Sequence, residues 1–224
     1  MKKICALLLI LLPAFHGVTG QEAVFFYTHD STRVRADLYL ADYRLPFIVL
    51  CHQQGSDRTE FIEIAPRLLN VNYNCLAIDL RPGTGFSSAD DIKAAIAYTK
   101  KFSGSQRVIL MVTSFSASLC FFIAAEITDI KAVIALDPGE YFQPGKSVGD
   151  IARQIKQPIF VSSTLKEFPY VANIFSGIPE SRLTLFSPQK GPGIRGTAAF
   201  SNSNPNSSEY WFALMMFFKK LDSK

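Results

Sequence analysis

Short, continuous apolar runs recur along the chain at residues 46–51, 74–80, 107–114, 131–137, 158–163 and 182–187. Runs of this kind, rich in aliphatic and β-branched residues and lacking polar alternation, predict strands buried on both faces. Amphipathic stretches separate them at residues 59–69, 89–102, 117–127, 148–155 and 170–175, and a last one covers 207–221. Strand and helix alternating in this way predict a parallel sheet with right-handed crossovers and helices on both faces. Two earlier segments, 23–27 and 34–40, alternate apolar with polar residues and predict an antiparallel pair at one edge. The expected architecture is a three-layer α/β sandwich with a mostly parallel sheet of about eight strands. Asp57 and Ser88 are suited to cap helix N-termini, and Ser207-Ser208-Glu209 opens the last helix with polar residues that suit its free amides.

The first twenty residues break this pattern. Lys2 and Lys3, the apolar stretch from Leu7 to Leu12 and the small residues Val18-Thr19-Gly20 read as a secretory signal peptide. The chain is therefore expected to be exported, periplasmic or secreted, with residues 21–224 forming one domain. That apolar stretch is too short to span a bilayer and no later segment is long enough, so no stable membrane insertion is expected after cleavage. The formal charge of +4 includes Lys2 and Lys3, and the small remaining excess gives no reason to expect nucleic acid as a partner. Cys51, Cys75 and Cys120 are too few for a disulfide scaffold. Cys51 ends one predicted strand and Cys75 begins a neighbour, which separates them along the sheet. Each reads as a small buried apolar residue, and no metal or cofactor motif is present.

The stretch from Arg107 to Ala125 carries the most chemistry. The predicted strand runs into Ser114-Phe115-Ser116-Ala117-Ser118 and at once into an apolar helix. Strand, tight turn, serine and helix are the context of a nucleophile elbow, which needs small residues two before and two after the nucleophile. Ser114 and Ser118 flank Ser116 at those distances, so Ser116 is the expected nucleophile. The other reading of these serines is as helix caps.

Five segments occur in the order expected of one family: CHQQGSDRTEFIEIAPRLLNVNYNCLAIDLRPG, the SFSAS turn, DPGEYF, PIFVSSTLKE and SSEYWFALMMFF. Together they resemble the dienelactone-hydrolase-like branch of the α/β hydrolases, in particular small secreted bacterial members. The resemblance implies an α/β-hydrolase fold with a triad in the order serine, acid, histidine. It implies oxyanion donors at the backbone amides of Ala117 and Gln53. The acid is implied at Glu167, with Asp137 at the end of the preceding strand as the second choice. Glu140 and Tyr141 follow Asp137 in a loop that could border the same cleft, and the connections at 81–88 and 138–146 are too short for a cap domain. Phe142, Tyr170 and Phe200 are candidates to line the cleft.

The histidine is missing. The turn after the last strand reads Gly191-Pro192-Gly193-Ile194-Arg195-Gly196, so Arg195 stands where the family pattern has histidine. Beyond the leader only His29 and His52 remain, both ahead of the serine. Arginine stays protonated and accepts no hydrogen bond, so it cannot relieve a serine of its proton. It can pair with Glu167 and close the site, or leave a cationic pocket that favours a carboxylate or phosphate. The expected protein is a degenerate hydrolase, non-catalytic or very weak, that binds a small ligand, an anionic one where the arginine is left unpaired. The alternative is an active carboxyl-ester hydrolase using Ser116 with His52 or a carboxylate as base. A nucleotide-binding sheet is disfavoured because His52-Gln53-Gln54-Gly55, and no Gly-rich phosphate loop, follows the first parallel strand.

Overall fold

Strand β5, Val108–Thr113, is buried at every position and lies in the middle of the sheet. Its Val108, Leu110 and Val112 pack into one core layer, and Ile109 and Met111 into the other. This two-sided burial is what its unbroken apolar run requires. The computed structural model describes residues 20–83, 85–102 and 108–223. The expected signal peptide therefore lies outside the described residues, apart from Gly20.

Around β5 the strands are β1 (Gly20–Tyr27), β2 (Arg33–Leu40), β3 (Phe47–Cys51), β4 (Asn74–Ile78), β6 (Ile130–Leu136), β7 (Ile159–Ser162) and β8 (Leu183–Phe186). Among the described residues they form one eight-stranded sheet in the order β1-β2-β4-β3-β5-β6-β7-β8. β1 pairs with β2 and β2 with β4 antiparallel, and the remaining pairs are parallel. The helices are α1 (Ala65–Asn70), α2 (Ala89–Phe102), α3 (Phe115–Glu126), α4 (Val148–Gln154), α5 (Phe168–Ile174) and α6 (Ser207–Asp222). α2, α3 and α4 cover one face of the sheet, while α1 and α6 cover the other. No cap domain interrupts the described residues, and no helix among them is long and apolar enough to cross a membrane.

The predicted helix 59–69 is in fact two pieces, a 3-10 turn at Arg58–Phe61 and then α1. Pro66 stands in the first turn of α1, where its missing amide does no harm. Within a longer helix it would remove a hydrogen bond and clash with the preceding turn. Asp57 caps the 3-10 turn, accepting from Thr59 N at 2.8 Å. Cys51, Cys75 and Cys120 are free and buried. Cys51 sits opposite Ile78 and Cys75 opposite Ile48, three rungs apart in the β3–β4 ladder.

Two arginines tie the strand ends to their surroundings. Arg58 meets Asp37 at 3.0 Å and Asp79 at 2.7 Å. Arg81 meets Asp30 at 2.6 Å and the fully buried Asp91 at 2.8 Å. Arg81→Ala would leave the Asp91 carboxylate without its counter-charge, which costs about 3 kcal/mol. The expected result is a lower denaturant midpoint with an unchanged slope; an unchanged midpoint would mean that the pair adds nothing to stability.

Candidate functional site

β5 ends at Thr113 and α3 begins at Phe115, so one residue, Ser114, makes the whole turn between strand and helix. It has φ 56° and ψ −120°, a strained conformation for a residue with a Cβ. This is the sharp strand-to-helix turn that holds a nucleophile's hydroxyl clear of the sheet. Ser114 is half-buried, and its Oγ lies 3.4 Å from the Tyr141 hydroxyl.

The expected nucleophile, Ser116, is not at the turn. It lies inside the first turn of α3, is 1% exposed, and its Oγ donates to His52 O at 2.9 Å. Ser118 is equally engaged: its Oγ donates to Gly139 O at 2.7 Å and accepts from Gly139 N at 2.9 Å. These two serines anchor the loops after β3 and after β6 to α3. The elbow register is therefore two residues earlier than the Ser-x-Ser-x-Ser spacing suggested, and Val112 and Ser116 are the flanking residues. Ala117, expected to supply an oxyanion amide, is fully buried two residues further into α3. The amide directly after the turn residue belongs to Phe115. The predicted run extends to residue 114, whereas the strand ends at Thr113, and this one-residue difference leaves Ser114 at the turn.

His52 is 3% exposed, and both of its ring nitrogens are engaged. Leu80 N donates to Nε2 at 2.9 Å, so Nε2 carries no proton, and Nδ1–H donates to Gln53 O at 2.7 Å. The ring pins the loop after β3 to the end of β4 and has no lone pair left for a serine proton. His29, the other described histidine, lies in the exposed β1–β2 turn. Gln53, the other expected oxyanion donor, turns its amide toward Glu60 Oε2 at 3.4 Å. Thr197 Oγ1 donates to the same oxygen at 3.4 Å, and Glu60 Oε1 is buried without a partner. Sequence reasoning missed Glu60, which looks like an ordinary helix-surface carboxylate until the loop after β8 folds over it.

Arg195 Nε lies 3.2 Å from Glu167 Oε2. Of the two arrangements open to this arginine, the paired one is present. Asp137, the second-choice acid, is 4% exposed and also has positive φ, 53°. Its Oδ2 accepts from Gly196 N, and its Oδ1 has no partner. Burial pushes its carboxyl up from the usual 3.8 to about 6, against the opposing pull of the Gly196 amide and the Arg195 charge. Gly196 makes this contact possible: at φ 61°, a Cβ there would stand 2.8 Å from Thr113 Cγ2, directly beneath the elbow.

Asp137, Glu140, Tyr141, Glu167, Tyr170 and Arg195 line a cavity of about 250 Å³. Glu140 binds the start of α4, accepting from Ser147 Oγ, Val148 N and Gly149 N at 2.7–3.0 Å. Of the expected lining aromatics, Tyr170 is present and its hydroxyl accepts from Glu140 N at 3.0 Å. Phe142 packs instead among Phe86, Phe115 and Phe122. Phe200 is wholly buried against Tyr210 and Trp211 in the α6 layer, away from the cleft.

No family model matches the sequence, and no curated protein matches it. Solved structures do. An esterase from Pyrococcus furiosus superposes with a TM-score of 0.72 at 16% identity, over 91% of each chain. An α/β hydrolase from a Penicillium species gives 0.73 at 13% identity, over 92% of this chain and all of the other. A candidate dienelactone hydrolase from Klebsiella pneumoniae gives 0.70 at 11% identity, over 89% and 99%. The order of the strands, the strained turn after β5 and these superpositions agree: the chain has the α/β-hydrolase fold.

Proposed function

We propose that residues 21–224 form an exported hydrolase-fold domain whose Ser114 cleft binds a small molecule and turns over esters very weakly or not at all. The observation that carries this reading is the Arg195–Glu167 ion pair, formed by the two residues that the family resemblance implies at the histidine and acid positions of a triad. With both nitrogens of His52 held by backbone, that imidazole is not free to act as base toward Ser114. A general base is worth about 10²- to 10⁴-fold in such chemistry. The Glu60 carboxylate beside Gln53 N further opposes negative charge at the point where an oxyanion would form. The neighbours' ester chemistry belongs to those proteins, and the superpositions support the fold alone.

A second reading, slow hydrolysis at Ser114 with Asp137 as base, draws on the strained turn and on a carboxyl whose pKa of about 6 suits proton transfer near neutrality. One pair of measurements separates the two. Short p-nitrophenyl esters are expected to show no turnover above that of Ser114→Ala, and a fluorophosphonate probe is expected to leave Ser114 unlabelled. Turnover abolished by Ser114→Ala, with labelling at Ser114, would overturn the binding-protein reading, and its loss in Asp137→Asn as well would establish the second.

A further inference from the structure

We infer that two copies of this chain associate in solution by antiparallel pairing of their β1 edges, so that the sheet of one continues into the sheet of the other. The surface lies at the sheet edge, and the inference does not rest on the reading of the Ser114 cleft. The bare edge is the first reason. β1, Gly20–Tyr27, is eight residues long and has no strand against its outer side among the described residues. Its register with β2 runs without a bulge from Gly20 opposite Leu40 to Tyr27 opposite Arg33. Edge strands that stay unpaired are ordinarily blunted by lysine, proline, a bulge or a very short length. β1 has none of these: it reads GQEAVFFY, with Glu22 as its one charge.

The second reason is what the edge exposes. Phe25 and Tyr27 are 50% and 60% exposed and meet edge to face, with 6.0 Å between ring centres. Together with Phe26 they form one wall of a groove of about 640 Å³, and α2 forms the other. A strand added along β1 would satisfy its outer backbone groups and cover these rings.

The third reason, the row of residues that α2 brings to the groove, selects the occupant. A two-fold axis perpendicular to the sheet makes β1 antiparallel to its copy, and it lays the two α2 helices antiparallel on the same face. In that arrangement the row is its own complement. Asp90 falls opposite the partner's Lys101, and Ala94 opposite the partner's Ala97. Lys93, bridged to Glu126 at 2.5 Å, falls opposite the partner's Tyr98. Acid meets base, small meets small and a cation meets a ring about one centre, which is what an isologous interface requires. A peptide of unrelated sequence would have no reason to match both β1 and α2. The opposite sheet edge of another copy, β8, has four residues, so it would leave part of β1 bare and would build an open chain instead of a closed pair.

Sedimentation velocity of the wild-type protein at rising concentration, up to about 0.5 mM, tests the inference. A reversible equilibrium between monomer and dimer that stops at two is expected. Phe25→Lys places a charge on the exposed edge and is expected to weaken the dimer by about thirtyfold or more. Asp90→Lys and Lys101→Asp are each expected to weaken self-association by about tenfold, because each turns both attractive pairs of the dimer into repulsive ones. An equimolar mixture of these two variants again sets opposite charges against each other at both pairs, and its dimer is expected to return to within about threefold of wild type. All three positions are exposed, so the substitutions leave the core intact. A protein that stays monomeric throughout, a series that grows beyond two, a dimer indifferent to Phe25→Lys, or a mixture no tighter than either variant alone would each overturn the β1 dimer.

Discussion

The double variant Arg195→His/Glu60→Gln is expected to hydrolyse short acyl esters about 10²- to 10³-fold faster than the wild-type chain, with the gain lost when Ser114→Ala is added. On the proposed reading two defects separate the cleft from a working triad, and each substitution addresses one. Histidine at position 195 supplies the base that the proposed reading finds missing, and Glu167 and Asp137, which line the same cavity as residue 195, are at hand to orient it. Glutamine at 60 removes the negative charge beside Gln53 N. Arg195→His alone should recover most of the gain, since base catalysis is worth about 10²- to 10⁴-fold, whereas one oxyanion donor competing with a carboxylate accounts for the rest. Background rates in a folded double variant would mean that the elbow itself no longer presents Ser114, and the assignment of the turn residue as the nucleophile position would fall.

Asp137→Asn is expected to remove a pH dependence of stability that runs opposite to ordinary acid denaturation. The folded-state pKa of Asp137, about 6, lies above its usual 3.8 because burial disfavours the charge. Between these values the native state holds a proton that the unfolded chain has released, so stability falls as pH rises through this window. The penalty is absent below about pH 4 and complete above about pH 6, reaching roughly 3 kcal/mol at ~1.4 kcal/mol per pH unit. Other carboxylates work in the opposite sense, among them Glu209, lowered chiefly by the Gln189 amide, and Glu63, lowered chiefly by the Asn202 amide. The informative quantity is therefore the difference between wild type and variant, measured by denaturant unfolding at several pH values. It should favour the variant increasingly from pH 4 to pH 6 and then level off. A difference that does not change with pH would show that Asp137 titrates normally.

Both predictions depend on residues that sequence patterns rank poorly. Ser114 and Ser116 differ little on paper, and the symmetry of Ser114 and Ser118 about Ser116 favours the wrong one. Only the meeting of β5 with α3 selects the residue that takes φ 56°. His52 could be read as a base until both of its nitrogens are traced to Gln53 O and Leu80 N, the latter on another strand's end. Glu60 and Phe200 show the same limit, since one gains its meaning from the Thr197 loop and the other loses its expected place in the cleft to the α6 layer.

From the sequence alone come the strand runs, their parallel arrangement and antiparallel edge, and the permanent charge of Arg195, because burial on both faces leaves an unbroken apolar signature and side-chain chemistry is a property of the residue itself. The identity of the elbow serine, the Arg195–Glu167 pair and the unpartnered Asp137 oxygen were decided only in the tertiary structure. They depend on backbone strain and on hydrogen bonds between segments distant in the chain, which no local pattern encodes.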